Sequence, residues 1–211
     1  MIEFLYKYSP IRPEFFEEPM LRATPLGQLN DPFEGQFNKK QVKNINRHNK
    51  EKLNNDETTE LMGGIEGGFE SLGIIAFTED HINPLMWAHY ADEHKGMVVQ
   101  FKTDTALFSS LDQHIENIDY FGTEHISPQR VIYRRELPLF KTKEEAITER
   151  NSQYIWRKFN CSILLTKAND WLYEKESRSI LRLVDADQIV GNRGQTTFYF
   201  SSNINSLKNH T

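Results

Sequence analysis

Three short stretches gather side chains that could do chemistry. Asn30-Asp31-Pro32-Phe33-Glu34 sets two carboxylates around a proline turn. Trp87, His89, Tyr90 and His94 crowd four rings into the segment from Asn83 to Gly96. Trp171-Leu172-Tyr173-Glu174-Lys175-Glu176-Ser177-Arg178 interleaves acids, bases and aromatics. If a strand runs from Tyr173 onward, Glu174, Glu176 and Arg178 share one face. That face is either solvated surface, with an ion pair worth ~0–1 kcal/mol, or a polar site. In the second case Arg178 holds an acidic partner while Glu176 or Glu174 performs acid–base or oxocarbenium work. Spacing alone favours the surface.

The other two stretches also carry two readings. The Asp-Pro step explains a turn, with Phe33 plugging the core, but it does not explain Glu34; a loop presenting Asn30, Asp31 and Glu34 to a pocket does. Packing would use Leu and Ile more cheaply than the rings around Tyr90, so this segment is a candidate ligand-binding wall of Trp87, His89 and Tyr90. Packing remains its plainer reading. His89 and Glu93 stand four apart, a helical metal-pair spacing, yet a metal site needs three or four ligands. His89 and His94 diverge around a helix, and no Cys cluster accompanies them, so no zinc site is expected. Nucleophile-elbow, Walker and dinucleotide fingerprints are absent.

These residues need elements to position them. Asn83 suits a helix cap and Pro84 the first helical position, with Lys95-Gly96 closing the helix before a Met97–Phe101 strand. Strands are also expected at Ile2–Tyr8, Met20–Thr24, Gly73–Thr78, Arg130–Arg134, Lys175–Val184, 187–190 and Thr196–Phe200. Helices are expected at Pro13–Glu18, from Asp104 to Leu111 and from Thr142 onward, where Thr142-Lys143-Glu144-Glu145 is a capping-box pattern. Ile155, Phe159 and Ile163 recur at helical spacing. Residues 38–60 are rich in Asn, Lys and Glu and read as an exposed helix or mobile insertion; Gly63-Gly64 and Gly67-Gly68 read as a flexible link. The interspersed elements and short links predict one α+β domain over 1–211, with a mixed, mostly antiparallel sheet flanked by helices.

Composition narrows the function classes. Net charge is −5 with no basic block, which argues against broad nucleic-acid binding. Cys161 is the only cysteine and sits in an apolar pattern, so a reducing cytoplasm is expected. No stretch approaches the ~20 apolar residues of a membrane span.

The motifs also occur in a recognisable order: Leu5-Tyr6-Lys7-Tyr8, Leu29 to Glu34, Ile75 to Thr78, Leu85 to Ala91, Lys95-Gly96, Val131-Ile132-Tyr133, and Thr166-Lys167 through Trp171 to Arg178. That series resembles the bacterial domain of unknown function 2971 family, whose members occur in bacteria and phages, some near defence genes. A weaker, fold-level resemblance is to ADP-ribosyltransferase-like proteins. It implies an early basic residue (Lys7 or Arg22), a middle aromatic (Tyr90) and a late carboxylate (Glu176), with NAD as cofactor. The resulting expectation is an NAD-using transferase or glycohydrolase with a nucleotide or small ligand. Two alternatives stand beside it: a non-catalytic module for a protein or nucleotide partner, and a metal-dependent hydrolase or nuclease using Asp31, Glu34, Glu174 and Glu176.

Overall fold

The computed structural model describes residues 3–48, 53–104, 128–137, 159–192 and 195–201. Its centre is β3 (Leu72–Thr78), a run of apolar and small residues that is buried nearly throughout. β8 (Glu176–Arg182) pairs antiparallel along the whole of one edge, from Leu72 opposite Arg182 to Thr78 opposite Glu176. The other edge is shared. β1 (Phe4–Ser9) meets it at Thr78, opposite Tyr6, while β2 (Met20–Pro25) meets it at Ile74 and Gly73. Between those contacts, on this edge, Ile75, Ala76 and Phe77 have no strand beside them among the described residues, and the sheet splits.

Each arm of the split extends outward. β4 (Met97–Lys102) pairs with β1, while β10 (Gln195–Ser201) and β9 (Gln188–Asn192) continue from β2. β5 (Gln129–Arg130) adds to β8, making an eight-stranded antiparallel sheet. A separate parallel pair joins β6 (Ile132–Arg134) to β7 (Thr166–Ala168). The expected α+β class with a mostly antiparallel sheet is therefore what the chain forms.

Alternation along β3 sends side chains to two cores. Ile75 and Phe77 join Leu5, Leu21, Ala23, Phe101, Leu181 and Phe200, with Phe15 of α1 (Pro13–Glu17) against them. Leu72 and Ile74 join Val42, Ile65, Phe69, Phe159, Ile163 and Ile180 on the other face. That second face is covered by α2 (Lys39–His48), α3 (Asn55–Glu70) and a helical stretch over 159–164.

Several expectations are corrected. The glycine pairs form no link, because Gly63, Gly64, Gly67 and Gly68 lie inside α3. Asn54 and Glu57 close a full capping box at its start, and Ile65 and Phe69 anchor it to the core, which offsets the poor helix propensity of glycine. Residues 38–60, outside these corrections, hold α2 and the beginning of α3; most of their described side chains are exposed, and Gln41, Val42 and Thr58 are buried. α4 (Pro84–Tyr90) starts as expected, Asn83 Oδ1 accepting from Leu85 N at 3.0 Å, but it ends at Tyr90 rather than Lys95. Asp92, Glu93 and His94 are all left-handed (φ 46°, 52° and 69°). His94 and Glu93 are thus off the helix, so the helical His89–Glu93 spacing does not exist. Gly96 serves a close approach instead of a cap: a Cβ there would lie 2.4 Å from Ser9 O. The single strand expected at Arg130–Arg134 is two, and the one expected at Lys175–Val184 begins at Glu176. The helices expected from Asp104 and Thr142 fall almost entirely outside the described residues. No helix among those residues is long and apolar enough to cross a membrane.

Candidate functional site

The split in the sheet opens into a cleft of about 290 Å³. At its floor the Lys7 ammonium donates to Ala76 O at 2.9 Å, satisfying the β3 carbonyl that no strand reaches. Lys7 also lies 5.7 Å from the Phe77 ring centroid. Burial lowers its pKa to about 8, against the opposing pull of Glu176. Tyr6, Arg22, Asn30, Met86 and Tyr90 line the walls.

Glu34, Lys167, Glu174 and Glu176 line the same cleft, and Arg178 stands behind them. A 3₁₀ turn over Asn169–Glu174 and the left-handed Lys175 (φ 44°) lead into β8. This kink lets Glu174, at the end of the turn, and Glu176, first in the strand, reach one ammonium. Lys167 Nζ lies 2.5 Å from Glu174 Oε2, 2.8 Å from Glu176 Oε2 and 3.6 Å from Glu34 Oε1. Arg178 donates from Nε to Glu176 Oε1 at 2.6 Å, from Nη1 to Leu164 O at 2.8 Å, and from Nη2 to Glu34 Oε1. Tyr90 Oη donates to Glu174 Oε1 at 2.5 Å, and Glu176 N donates to Tyr133 Oη at 2.8 Å.

All five charged residues of this array are buried. The solvated-face reading of Glu174, Glu176 and Arg178 is thereby overturned, because the Glu34 loop and the 159–168 segment cover that side of β8. Burial opposes ionisation, but Arg178 and Lys167 overcome it at Glu176 and hold its pKa at about 2. Burial wins at Glu34 and Glu174, whose pKa values are raised despite the same cations. At Lys167 burial is outweighed by Glu176, Glu174 and Glu34, which keep the amine protonated.

The remaining expected site residues sit elsewhere. Asp31 is a buried tether: its two oxygens accept from Phe33 N at 2.9 Å and Ala168 N at 2.6 Å, fixing the Glu34 loop to β7. Trp87 packs edge-on to Tyr8 and donates to His81 O at 3.2 Å. His89 is exposed, 6.1 Å from the Tyr173 ring. Two residues of the array escaped notice as site candidates, Lys167 and Tyr133. The only signal for either was its place in the ordered family motifs. Among the described residues no group of three or more His, Cys, Asp or Glu could hold a metal; the three clustered glutamates have an ammonium among them.

Residues 86–179 match the family model of DUF2971, a protein of unknown function. The DUF2971 resemblance therefore holds over that stretch, which contains Tyr90, Lys167, Glu174, Glu176 and Arg178. Lys7, Arg22, Asn30 and Glu34 lie before it. No curated protein and no solved structure matches the chain. The likeness to ADP-ribosyltransferases has no match behind it.

Proposed function

We propose that this DUF2971-like chain binds a nucleotide in the cleft at the sheet split, with NAD as the cofactor class and glycosidic-bond cleavage or transfer as the reaction. One observation carries the reading: Lys7 and Arg22, Tyr6 and Tyr90, and an ionised Glu176 converge on one cavity. The cations suit phosphate oxygens. The aromatic rings suit a flat base. A carboxylate held at a pKa of about 2 suits the positive charge of an oxocarbenium-like transition state. In that reaction the ribose C1′–nitrogen bond breaks with its electron pair leaving on nicotinamide, and an oxygen of water or an acceptor bonds to C1′. A volume of about 290 Å³ is at the small end of ligand sites and suits one nucleotide half.

A second reading, a non-catalytic module for a nucleotide or protein partner, also has an observation behind it. Both oxygens of Glu174 and of Glu176 already accept charge-assisted or phenolic hydrogen bonds, as a structural array would. The metal-hydrolase alternative requires Lys167 to leave the centre of the carboxylates.

The test is binding and turnover with NAD⁺, ADP-ribose and ATP, with Mg²⁺ and Mn²⁺ as controls. A ligand at a hundred times its dissociation constant adds ~2.7 kcal/mol, several degrees of melting temperature. Tyr6→Ala and Arg22→Ala, at the cleft wall, are expected to weaken NAD⁺ binding and product formation together. NAD⁺ retained without product favours the second reading. No binding to the wild-type protein, or binding that ignores both substitutions, refutes the cleft.

A further inference from the structure

Within the array one oxygen stands out. Glu174 Oε1 and Oε2 accept from Tyr90 and Lys167; Glu176 Oε1 and Oε2 accept from Arg178 and Lys167. Glu34 Oε1 accepts from Arg178, yet Glu34 Oε2 is buried and has no partner among the described residues. The side chain retains only 2% of its exposure and belongs to a residue lining the cleft. A carboxylate oxygen buried without a donor is costly, so the position calls for either a proton on that oxygen or a partner from outside the chain.

The cluster decides between them. Three carboxylates face two buried cations, Lys167 and Arg178, and a proton on any oxygen of Glu174 or Glu176 would sit on one that already accepts a hydrogen bond. A proton on Glu34 Oε2 displaces none and leaves the five groups neutral in sum. We infer that Glu34 is the neutral carboxylic acid of the site and donates its Oε2–H to an acceptor atom, a carbonyl oxygen or ring nitrogen, on the flat ring seated in the cleft. This rests on the nucleotide reading above for the identity of the ring, and on the chain's own hydrogen bonds for the proton. The charged groups facing Glu34 are Arg178 and Glu176 from β8 and Lys167 from β7, with Glu174 beyond Lys167. Burial raises the Glu34 pKa against both cations, consistent with that assignment.

Two measurements separate the parts. Infrared difference spectra of the ligand-free protein at neutral pH are expected to show a protonated-carboxyl stretch that Glu34→Gln removes. Calorimetric titration with NAD⁺ and nicotinamide mononucleotide is expected to give a wild-type affinity that falls as pH rises. Glu34→Gln, which keeps a donor without charge, is expected to bind as tightly as the wild type at neutral pH and to keep only the share of the pH dependence that Lys7, with its pKa of about 8, contributes in both proteins, while Glu34→Ala binds about tenfold more weakly. Absence of the carboxyl band, or Glu34→Gln binding as weakly as Glu34→Ala, overturns the inference. A band with no binding of either nucleotide supports the proton on Glu34 and overturns the nucleotide reading. Because Glu34→Gln preserves shape, its melting curve reports whether any loss is one of folding.

Discussion

Lys167→Met tests the buried array most directly. Methionine keeps an unbranched stem of similar length and removes the charge that two carboxylates contact at 2.5 and 2.8 Å, with a third at 3.6 Å. Removing one partner of a buried ion pair costs about 3–5 kcal/mol, because the other charge stays buried and uncompensated. Two close partners put this substitution in the upper part of that range, about 4–5 kcal/mol. A domain is stable by only about 5–15 kcal/mol, so the variant is expected to be barely folded or to melt about 10–15 °C lower.

The pH dependence gives the sharper test. In the wild type, Glu176 has a folded pKa of about 2 against an ordinary 4.5. Its contribution, on the order of 3 kcal/mol, is present above the unfolded value and is lost as pH falls towards 2. Without Lys167, Glu174 and Glu176 repel one another and their folded pKa values rise. A raised carboxylate destabilises above its unfolded pKa, and that penalty fades as acid protonates it. The stability gap between wild type and Lys167→Met is therefore expected to narrow from pH 7 to pH 5, read by urea unfolding at both. A gap below about 1 kcal/mol, or one unchanged by pH, would refute a buried, charge-coupled array.

Two further outcomes follow from the geometry. Lys7, with a pKa of about 8, is expected to be modified ahead of exposed lysines by an amine reagent at pH 8, and NAD⁺ is expected to protect it; peptide mass spectrometry with uniform labelling of all lysines would contradict this. Gly96→Ala places a Cβ 2.4 Å from Ser9 O and 2.7 Å from Ala91 backbone atoms, so β1 and the turn before β4 must part. The expected loss is about 2–3 kcal/mol by urea unfolding, and an unchanged midpoint would show that the approach is looser.

What could be read along the chain was local. Asn83 and Pro84 fix the start of α4 through their own backbone chemistry, and the apolar run at 73–78 could only be a buried strand. The end of α4 was not legible, because Lys95-Gly96 imitates a C-terminal stop, while the helix is ended by three left-handed residues and Gly96 answers to Ser9 of a distant strand. The glycines at 63–68 look like a link until the capping box at Asn54 and the core contacts of Ile65 and Phe69 carry the helix through them. Period-two alternation correctly grouped Glu176 with Arg178, but it could not say what covers that face. The cover comes from Glu34, far away in sequence, and from Lys167, nine residues before Glu176 and folded back on it through the 3₁₀ turn. Lys167 itself is one cation after an apolar run, with nothing in its neighbours to mark it.

The same non-local wiring determines how the site can be tested. Glu176→Gln is the substitution that a catalytic carboxylate invites, yet here it removes the anion on which Arg178 and Lys167 both rest. Arg178 would keep Leu164 O and Glu34, and Lys167 would keep Glu174, but two cations would then face two carboxylates whose pKa values are already raised. Loss of activity in that variant would therefore mix chemistry with architecture. The rim residues escape this coupling: Arg22 is exposed, and Tyr6 stacks 4.7 Å from the exposed His81. Only a loss of function in Tyr6 and Arg22 variants with unchanged melting can be charged to the ligand.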